Sequence, residues 1–481
     1  MSRPGRLVFP LALSLLLPGC ALMQDDPGPV TAIDPQQVQL SRVIHLADSH
    51  WPAARWWEAY RDPQLTMLIN RALQNSPTAQ AARLRIRQSQ SAVEMAQSVS
   101  GLQATAVAVQ NRMRVSDRNF SWPYAYSLPE SHNGPWYTLN TVGVGGSLNL
   151  DLWGADRAQV AAAIGESNAR QAETAGVELD IASSVARLYF AMQITWQQIA
   201  LLNQQADIAG LSVRAHEGRA ARGLEDQVDI AGASSELLAA RQQVLAARSM
   251  LTQYQETLRA LVGASATTMP EIHPVALPAL QASLPPSLSS DLLARRPDLQ
   301  ALSGYVTASL SRVDAAKAAF YPHFDIKAFW GYNALSVGDL FKYSFQQVNI
   351  IPGMSLPLFD GGRLNATLKS TRTGSNILIK QYNQAVLDAV RDVALASSQL
   401  NDLDQQLALQ RQRVAAAELA AASAGAHFRR GLVSYYAAQE ARRATLNEQL
   451  LLLDIQARQL NSDITLIKAL GGGYRGDTPP A

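Results

Sequence analysis

The chain of 481 residues carries 41 Lys and Arg against 39 Asp and Glu, a formal net charge of +2, and it has one cysteine. This balance excludes the strongly basic surface of a nucleic-acid-binding protein, so we expect no nucleic-acid partner. A single cysteine excludes a fold held together by disulfides. After residue 20, no apolar run reaches the roughly 18 residues of a transmembrane helix, so a membrane crossing would require β-strands.

The first 19 residues are predicted to be a signal peptide. Two arginines lie within the first six residues, and the apolar run that follows to residue 17 is too short to span a bilayer. The letters LPGC end this segment and resemble a bacterial lipobox, although Pro18 departs from the small residue usual there. We therefore predict that Cys20 is lipidated and that residues 20–60 form a lipid-anchored tail. The alternative is a buried free thiol near a secretory cleavage site.

The proline distribution predicts long helices. No proline occurs between residues 136 and 269 or between residues 358 and 478, and a proline inside a helix costs about 3 kcal/mol. Apolar residues recur at alternating spacings of four and three, for example from Ile181 to Val213 and from Leu446 to Ile467. This spacing is typical of coiled coils. It predicts long helix pairs over 155–263 and 361–470, with an ordinary helical bundle as the alternative.

Several short motifs occur twice in the same order. The letters LDLWGADR from residue 150 are echoed by LPLFDGGR about 206 residues later, and RGL at residue 222 recurs at residue 430. The chain therefore reads as two structural repeats, 61–263 and 291–472. A proline-rich linker, 264–290, joins them, and residues 473–481 form a C-terminal tail.

Each repeat also contains a pair of alternating segments, predicted to be β-hairpins at about 103–152 and 323–358. Alternation over ten or more residues, apolar on one face and polar or small on the other, is typical of outer-membrane strands. In the first segment we assign Thr105, Val107 and Val109 to the apolar face. The alternative is two soluble hairpins, each with one face in water.

Four strands are too few to close a barrel, because the smallest bacterial barrels have about eight. An open sheet edge in lipid leaves backbone groups unpaired at a cost of several kcal/mol each. We therefore expect several copies of the chain to share one barrel. Small and polar residues in the second segment, Gly143, Gly145 and Ser147, suit a water-filled interior.

The order of these elements resembles the TolC-like outer-membrane factors of tripartite efflux systems, and especially their NodT-type lipoprotein branch. The motifs that carry the resemblance are WW at 56–57, DPQL at 62–65, DLWG at 151–154, ARRPDL at 294–299, PLFDGGR at 357–363 and RGLVS at 430–434. The resemblance implies a mainly α fold with a transmembrane β-barrel. In such a homotrimer, four strands per protomer form a 12-stranded barrel, and the long helices form a periplasmic α-barrel.

The resemblance also implies a function. The chain would be a passive outer-membrane conduit through which small toxic compounds are exported, with a periplasmic membrane-fusion adaptor, an inner-membrane drug transporter and outer-membrane lipid as partners. Two alternatives stay open. One is an outer-membrane duct for protein (type I) secretion, and the other is a periplasmic helical lipoprotein that conducts nothing.

Two groups of candidate site residues lie at turns between the paired helices. The resemblance implies that the turns form periplasmic tips that contact the adaptor, at Arg222, Gly223, Leu224, Arg430, Gly431 and Leu432. A separate hypothesis is that charges near these turns close a gate by bridging between hairpins, with solvated surface charge as the alternative. The gate candidates are Arg219, Glu225, Asp226, Asp229 and Arg429, together with Arg222 and Arg430.

The sequence argues against an enzyme. Its seven histidines show no metal-ligand spacing such as HExxH, and no glycine-rich phosphate-binding loop occurs. The lone cysteine leaves no pair of thiols for a metal. We therefore predict no catalytic residue, no metal and no cofactor.

Overall fold

A computed structural model describes residues 23–33, 51–114, 136–280 and 295–475. It is mainly helical, and a short 3₁₀ helix, Trp56–Tyr60, precedes the longer elements. The helices are α1 Pro63–Asn75, α2 Pro77–Val99, α3 Ala155–Ala220, α4 Gln227–Val262, α5 Pro297–Ala318, α6 Arg363–Arg429 and α7 Tyr435–Ala469. The strands are β1 Gln103–Arg114, β2 Trp136–Leu150, β3 His323–Ala334 and β4 Gln346–Ser355.

The chain divides into two compact units. The first comprises Met1–Thr31, Arg87–Asn168 and Gly304–Lys380, and it contains the four strands. The second comprises Ala32–Ile86, Ala169–Ser303 and Gln381–Ala481. None of the described helices combines the length and the apolar character needed to cross a bilayer.

The strands of the first unit form one antiparallel sheet in the order β1-β2-β3-β4. Gly143 of β2 lies directly opposite Gly331 of β3. A Cβ atom on Gly143 would lie 2.6 Å from the carbonyl oxygen of Trp330 and 2.7 Å from the ring of Phe329. Glycine is therefore required at this pair, because an aromatic ring occupies the space that side chains would fill.

The register corrects the face predicted for β1. Directly opposed residues of antiparallel strands share a face, and Val144 lies opposite Ala106 of β1 and Trp330 of β3. The apolar face of β1 therefore carries Ala106. Val107, the middle residue of the predicted apolar set, lies opposite Gly143 on the other face. The prediction was wrong because both faces of β1 carry small apolar side chains, so strand pairing and not alternation sets its register.

The core of the second unit is a large apolar cluster formed by segments far apart in sequence. Its fully buried members include Leu68 from α1, Tyr189 and Met192 from α3, Leu258 from α4 and Ile464 from α7. A second cluster joins the start of α5 to α6 and the end of α7. The large cluster buries part of each apolar ladder that the sequence presents at coiled-coil spacing, for example Ile181 and Val185 of the first and Ile464 of the last.

Two glutamines hold the proline-rich segment 270–280 in place. Gln64 accepts a hydrogen bond from the His273 backbone N–H at 2.8 Å and donates one to its carbonyl at 3.2 Å. Gln193 binds the backbone of two residues: it accepts a hydrogen bond from the Val275 N–H at 2.8 Å and donates one to the His273 carbonyl at 3.1 Å. These side chains satisfy backbone groups that no helix or strand pairs.

Glycines in the left-handed region occur at matching places in the two halves. Each precedes or ends a long helix with φ between +67° and +87°, and its counterpart follows 208 residues later: Gly154 and Gly362, Gly223 and Gly431, Gly263 and Gly471. The sequence letters suggest 206 residues at the first of these. The difference arises because the second copy places two more residues between its strand-end motif and this glycine.

Candidate functional site

The turn between α3 and α4, the first turn, closes through backbone hydrogen bonds. Leu224 N–H donates to the Arg219 carbonyl at 3.0 Å, and Gly223 N–H donates to the Ala220 carbonyl at 2.9 Å. This pair of bonds is a Schellman motif, which needs a left-handed residue at its centre. Gly223 meets that need with φ +71°.

The turn between α6 and α7, the second turn, has the same geometry. Leu432 N–H donates to the His427 carbonyl and Gly431 N–H donates to the Phe428 carbonyl, both at 2.9 Å. Gly431 has φ +73°. The repeated RGL letters therefore encode the same helix ending twice.

Both turns present a large apolar side chain to the surroundings. Leu224 is 70% exposed and Leu432 is 66% exposed. Neither glycine has any atom within 4 Å of the position its Cβ would occupy. Each turn is thus an open surface that exposes one leucine side chain, and an arginine lies beside the glycine of each turn.

A hydrogen-bonded cluster beside the first turn joins two of the predicted gate residues, Arg219 and Glu225, to His216, which was not among the candidates. Glu225 accepts from Arg219 Nε at 2.5 Å and contacts His216 Nδ1 at 2.8 Å. Burial raises the pKa of Glu225, but the hydrogen bonds from Arg219 and His216 outweigh it and leave the pKa below its usual value. The signal in the sequence was the three-residue spacing of His216 and Arg219, which places both on one helix face.

The other gate candidates have local roles in this chain. Asp226 is the N-cap of α4, accepting from Val228 N–H and Asp229 N–H, and Asp229 completes a capping box. Within the described part of the chain, Arg222, Arg429 and Arg430 form no ion pair. In a single copy of the chain, the charged residues predicted to bridge two hairpins therefore either bind residues of their own turn or are exposed to solvent.

Helix α7 ties the second helix pair to the first near these turns. Arg443 pairs with Glu236 of α4 at 2.8 Å, and Asn447 accepts from Gln205 of α3 at 2.6 Å. The ring of Tyr436 meets that of His216 edge to face, with centroids 6.0 Å apart. Contacts between the hairpins thus involve residues outside the predicted gate set.

The sheet offers a second candidate surface. A row of apolar residues crosses all four strands through Ala106, Val144, Trp330 and Val348. Val144, Trp330 and Val348 are all largely exposed. In the described chain β1 and β4 each pair on one side only, so the sheet ends in two free edges.

Cys20 lies outside the residues that the structure describes. Over the described ranges, no group of three or more His, Cys, Asp or Glu side chains is arranged to hold a metal ion.

Known proteins resemble this chain along most of its length. The profile of the family described as "Outer membrane efflux protein" matches residues 68–264 and 288–472. Multidrug resistance outer membrane protein MdtP of Escherichia coli strain K12 is 47% identical over 97% of this chain and 96% of its own. Putative multidrug resistance outer membrane protein MdtQ of Shigella flexneri is 37% identical over 98% of both chains.

A solved structure has the same fold. The outer membrane protein VceC of Vibrio cholerae matches with a TM-score of 0.78 and 29% identity over 88% of this chain and 100% of its own. The family match covers nearly all of both predicted repeats, including each long helix pair and its turn. The chain therefore belongs to the outer membrane efflux protein family and is an efflux channel of the outer membrane.

Proposed function

We propose that three copies of the chain form one passive conduit through which small toxic compounds leave the cell. The observation that carries this proposal is the pair of free edges on β1 and β4. Strands of 12 and 10 residues with unpaired backbone groups are costly in hydrocarbon. Pairing β4 of one copy with β1 of the next removes both edges, and three copies give a barrel of about twelve strands, within the known bacterial range.

Two measurements on the purified particle test this proposal, its mass and its electrical conductance. We expect a detergent-solubilised mass of about three chains and stepwise conductance in a planar bilayer, as for other multi-strand barrels. A monomeric particle that conducts nothing would contradict the proposal.

Deleting the gene and testing susceptibility to a broad panel of toxic compounds then identifies the cargo. The relatives named for multidrug resistance support small molecules as that cargo.

We further propose that the two turns contact a periplasmic adaptor, which joins the channel to an inner-membrane transporter. The exposed Leu224 and Leu432 and their neighbouring arginines support this, because exposed apolar points with charged rims suit protein contacts. Leu224→Asp and Leu432→Asp should abolish efflux while the trimer persists. Leu245→Asp, equally exposed but on the flank of α4, is the control. Full efflux with both turn variants would remove this assignment.

The gate remains a proposal about the assembled conduit. Arg219, Glu225, Asp226 and Asp229 lie at one turn, where copies of the chain would meet around an axis. Reversing the charges of Asp226 and Asp229 should change the single-channel conductance. Because Asp226 caps α4, the variant Asp226→Asn serves as a control that keeps a good cap. Unchanged conductance on charge reversal would rule out these carboxylates.

Lipidation of Cys20 is the remaining proposal. The sequence around Cys20 supports it, and an acyl anchor contributes about 0.8 kcal/mol per buried CH₂. The mass of the mature protein is expected to exceed that of the chain from residue 20 by the mass of its acyl groups. A mature mass without that increment would contradict lipidation.

A further inference from the structure

Residues 23–31, here called the N-terminal strap, are held along helix α6 by asparagine side chains. Gln24 N–H donates to Asn365 Oδ1 at 2.9 Å, and Val30 N–H donates to Asn376 Oδ1 at 3.0 Å. The two asparagines are 11 residues apart, about three helical turns, so they lie on one face of α6. The strap therefore runs in the same direction as the helix, and side chains on one helix face bind its backbone.

Between these two contacts, an ionic contact fixes the strap. Asp26 Oδ1 accepts from Arg372 Nε at 2.8 Å, and Asp26 Oδ2 accepts from Arg372 Nη2 at 2.5 Å. Lys317 of α5 adds a third bond at 2.8 Å. The Asp26 and Arg372 side chains are only 9% and 8% exposed. A two-bond pair of this kind is among the stronger and more directional contacts in proteins.

Arg372 depends on the strap for its counterion. Among the described residues, Asp26 is the only carboxylate within ion-pair distance of Arg372, and Asp314 of α5 acts on it only at longer range. A buried guanidinium without a partner is costly. The strap therefore completes the packing of α5 and α6 and does not merely lie on their surface.

The ionic contact is stable across the ordinary pH range. Hydrogen bonds from Arg372 hold the pKa of Asp26 far below its usual value, ahead of the opposing effect of burial and the further bonds from Lys317 and Gly28 N–H. The stabilisation is therefore present above the carboxyl pKa of the unfolded chain, about 4. It is lost only as the pH falls through the much lower folded pKa, so the ion pair persists over the whole ordinary pH range.

We propose that the ion pair between Asp26 and Arg372, here called the lock, holds the strap in place. The strap held in this way, and not the acyl chain, determines where the membrane anchor is positioned. This rests on the proposed lipidation of Cys20. Four residues of chain span at most about 14 Å, so a fixed Gln24 limits the reach of Cys20. Docking of the strap then does not require insertion of the lipid.

A reporter thiol tests the lock without the lipid. Cys20→Ser, secreted with a cleavable signal, removes the only cysteine, and Val30→Cys places one on the half-buried part of the strap. Asp26→Ala should raise the rate of maleimide alkylation by roughly tenfold, since a charge-assisted pair of this kind is broken. Asp25→Ala, one residue away and exposed, should leave the rate unchanged.

A second variant keeps the test decisive if Asp26→Ala does not fold. Lys317→Met leaves the arginine pair in place and should raise the alkylation rate by a smaller factor. The lock is refuted if neither variant raises the rate, or if the thiol reacts as fast as one in an unfolded peptide in the unlipidated parent. The mass of the mature wild-type protein tests lipidation separately, so a failed anchor and a failed lock give different results.

Discussion

The hydroxyl of Tyr189 donates a hydrogen bond of 2.5 Å to Asp62, a residue 127 positions earlier in the chain. The other oxygen of the same carboxylate caps α1, accepting from Gln64 N–H and Leu65 N–H. Burial raises the pKa of Tyr189, with the bond to Asp62 adding to it, so the hydroxyl stays a donor. One carboxylate thus begins a helix and fixes it to α3.

Removing this hydroxyl should destabilise the second unit. We expect Tyr189→Phe to lower the free energy of unfolding by about 2 kcal/mol, because the lost bond has a charged acceptor. The measurement is the midpoint of chemical denaturation in detergent, followed by helical circular dichroism. Tyr254→Phe is the control, since Tyr254 packs against the same cluster and its hydroxyl makes no hydrogen bond to any residue within the described ranges. Equal midpoints for both variants would show that the bond contributes nothing.

Asp463 should make stability depend on pH in the unusual direction. Burial raises the pKa of Asp463, Asp404 raises it further, and the 2.5 Å bond from Tyr60 opposes them. A raised folded pKa means that stability is fully present below the unfolded value, about 3.9. That stability is lost as the pH rises through the folded pKa.

Asp463→Asn removes this dependence, because asparagine can accept from Tyr60 without carrying a charge. We expect the variant to melt at a higher temperature than the parent near pH 8 and to show little difference near pH 4. Asp454→Asn, exposed on the same helix, is the control, and its melting temperature should differ from that of the parent by the same amount at both pH values. A melting difference that is constant with pH would contradict the assignment.

The glycine pair of the sheet should tolerate no side chain. Gly143→Val places a Cβ against the Trp330 carbonyl, which cannot move without breaking the strand pairing. We expect a loss of about 2 kcal/mol from overpacking and a lower yield of the folded protein in the outer membrane. Gly145→Val is the matched control. It lies two residues along the same strand, and its Cβ would meet nothing closer than 3.9 Å. Normal yield for Gly143→Val would show that the sheet can shift to accommodate it.

Gln193 should protect the proline-rich segment from proteolysis. Its side chain is buried and bonds to His273 and Val275. Gln193→Leu leaves the Val275 N–H unpaired, at a cost of about 1 to 3 kcal/mol, and leaves the His273 carbonyl with the bond from Gln64 alone. We therefore expect faster cleavage between residues 264 and 280. Gln205→Leu, which breaks one bond to Asn447, is the control and should leave that segment protected. Mass analysis of early fragments locates the cuts.

Helices were predictable from local composition. Two long stretches without proline and with good helix formers leave few alternatives to helix, and the structure has α3 and α4 in one and α6 and α7 in the other. The turns were predictable for a similar reason. A Schellman ending requires a left-handed residue, and glycine adopts that conformation at least cost.

Other features were hidden because they join distant residues. The contact of His216 with Glu225 crosses a turn, and that of Arg372 with Asp26 crosses 346 residues. No pattern of spacing predicts such a pair, because proximity arises only after the helices have packed. The apolar face of β1 was predicted wrongly for a related reason, since alternating alanine and valine differ too little in hydrophobicity to fix a register.

By itself, the sequence determined which segments are helix or strand and where glycine ends the long helices. These are local properties of φ, hydrogen bonding and apolar periodicity, so they can be seen in the order of the letters. Only the tertiary structure decided that Gly143 faces Gly331, that Gln64 and Gln193 bind the proline-rich segment, and that Asp26 fastens the strap. Each depends on which groups meet after folding, where burial makes an unpaired polar group or an added methyl costly.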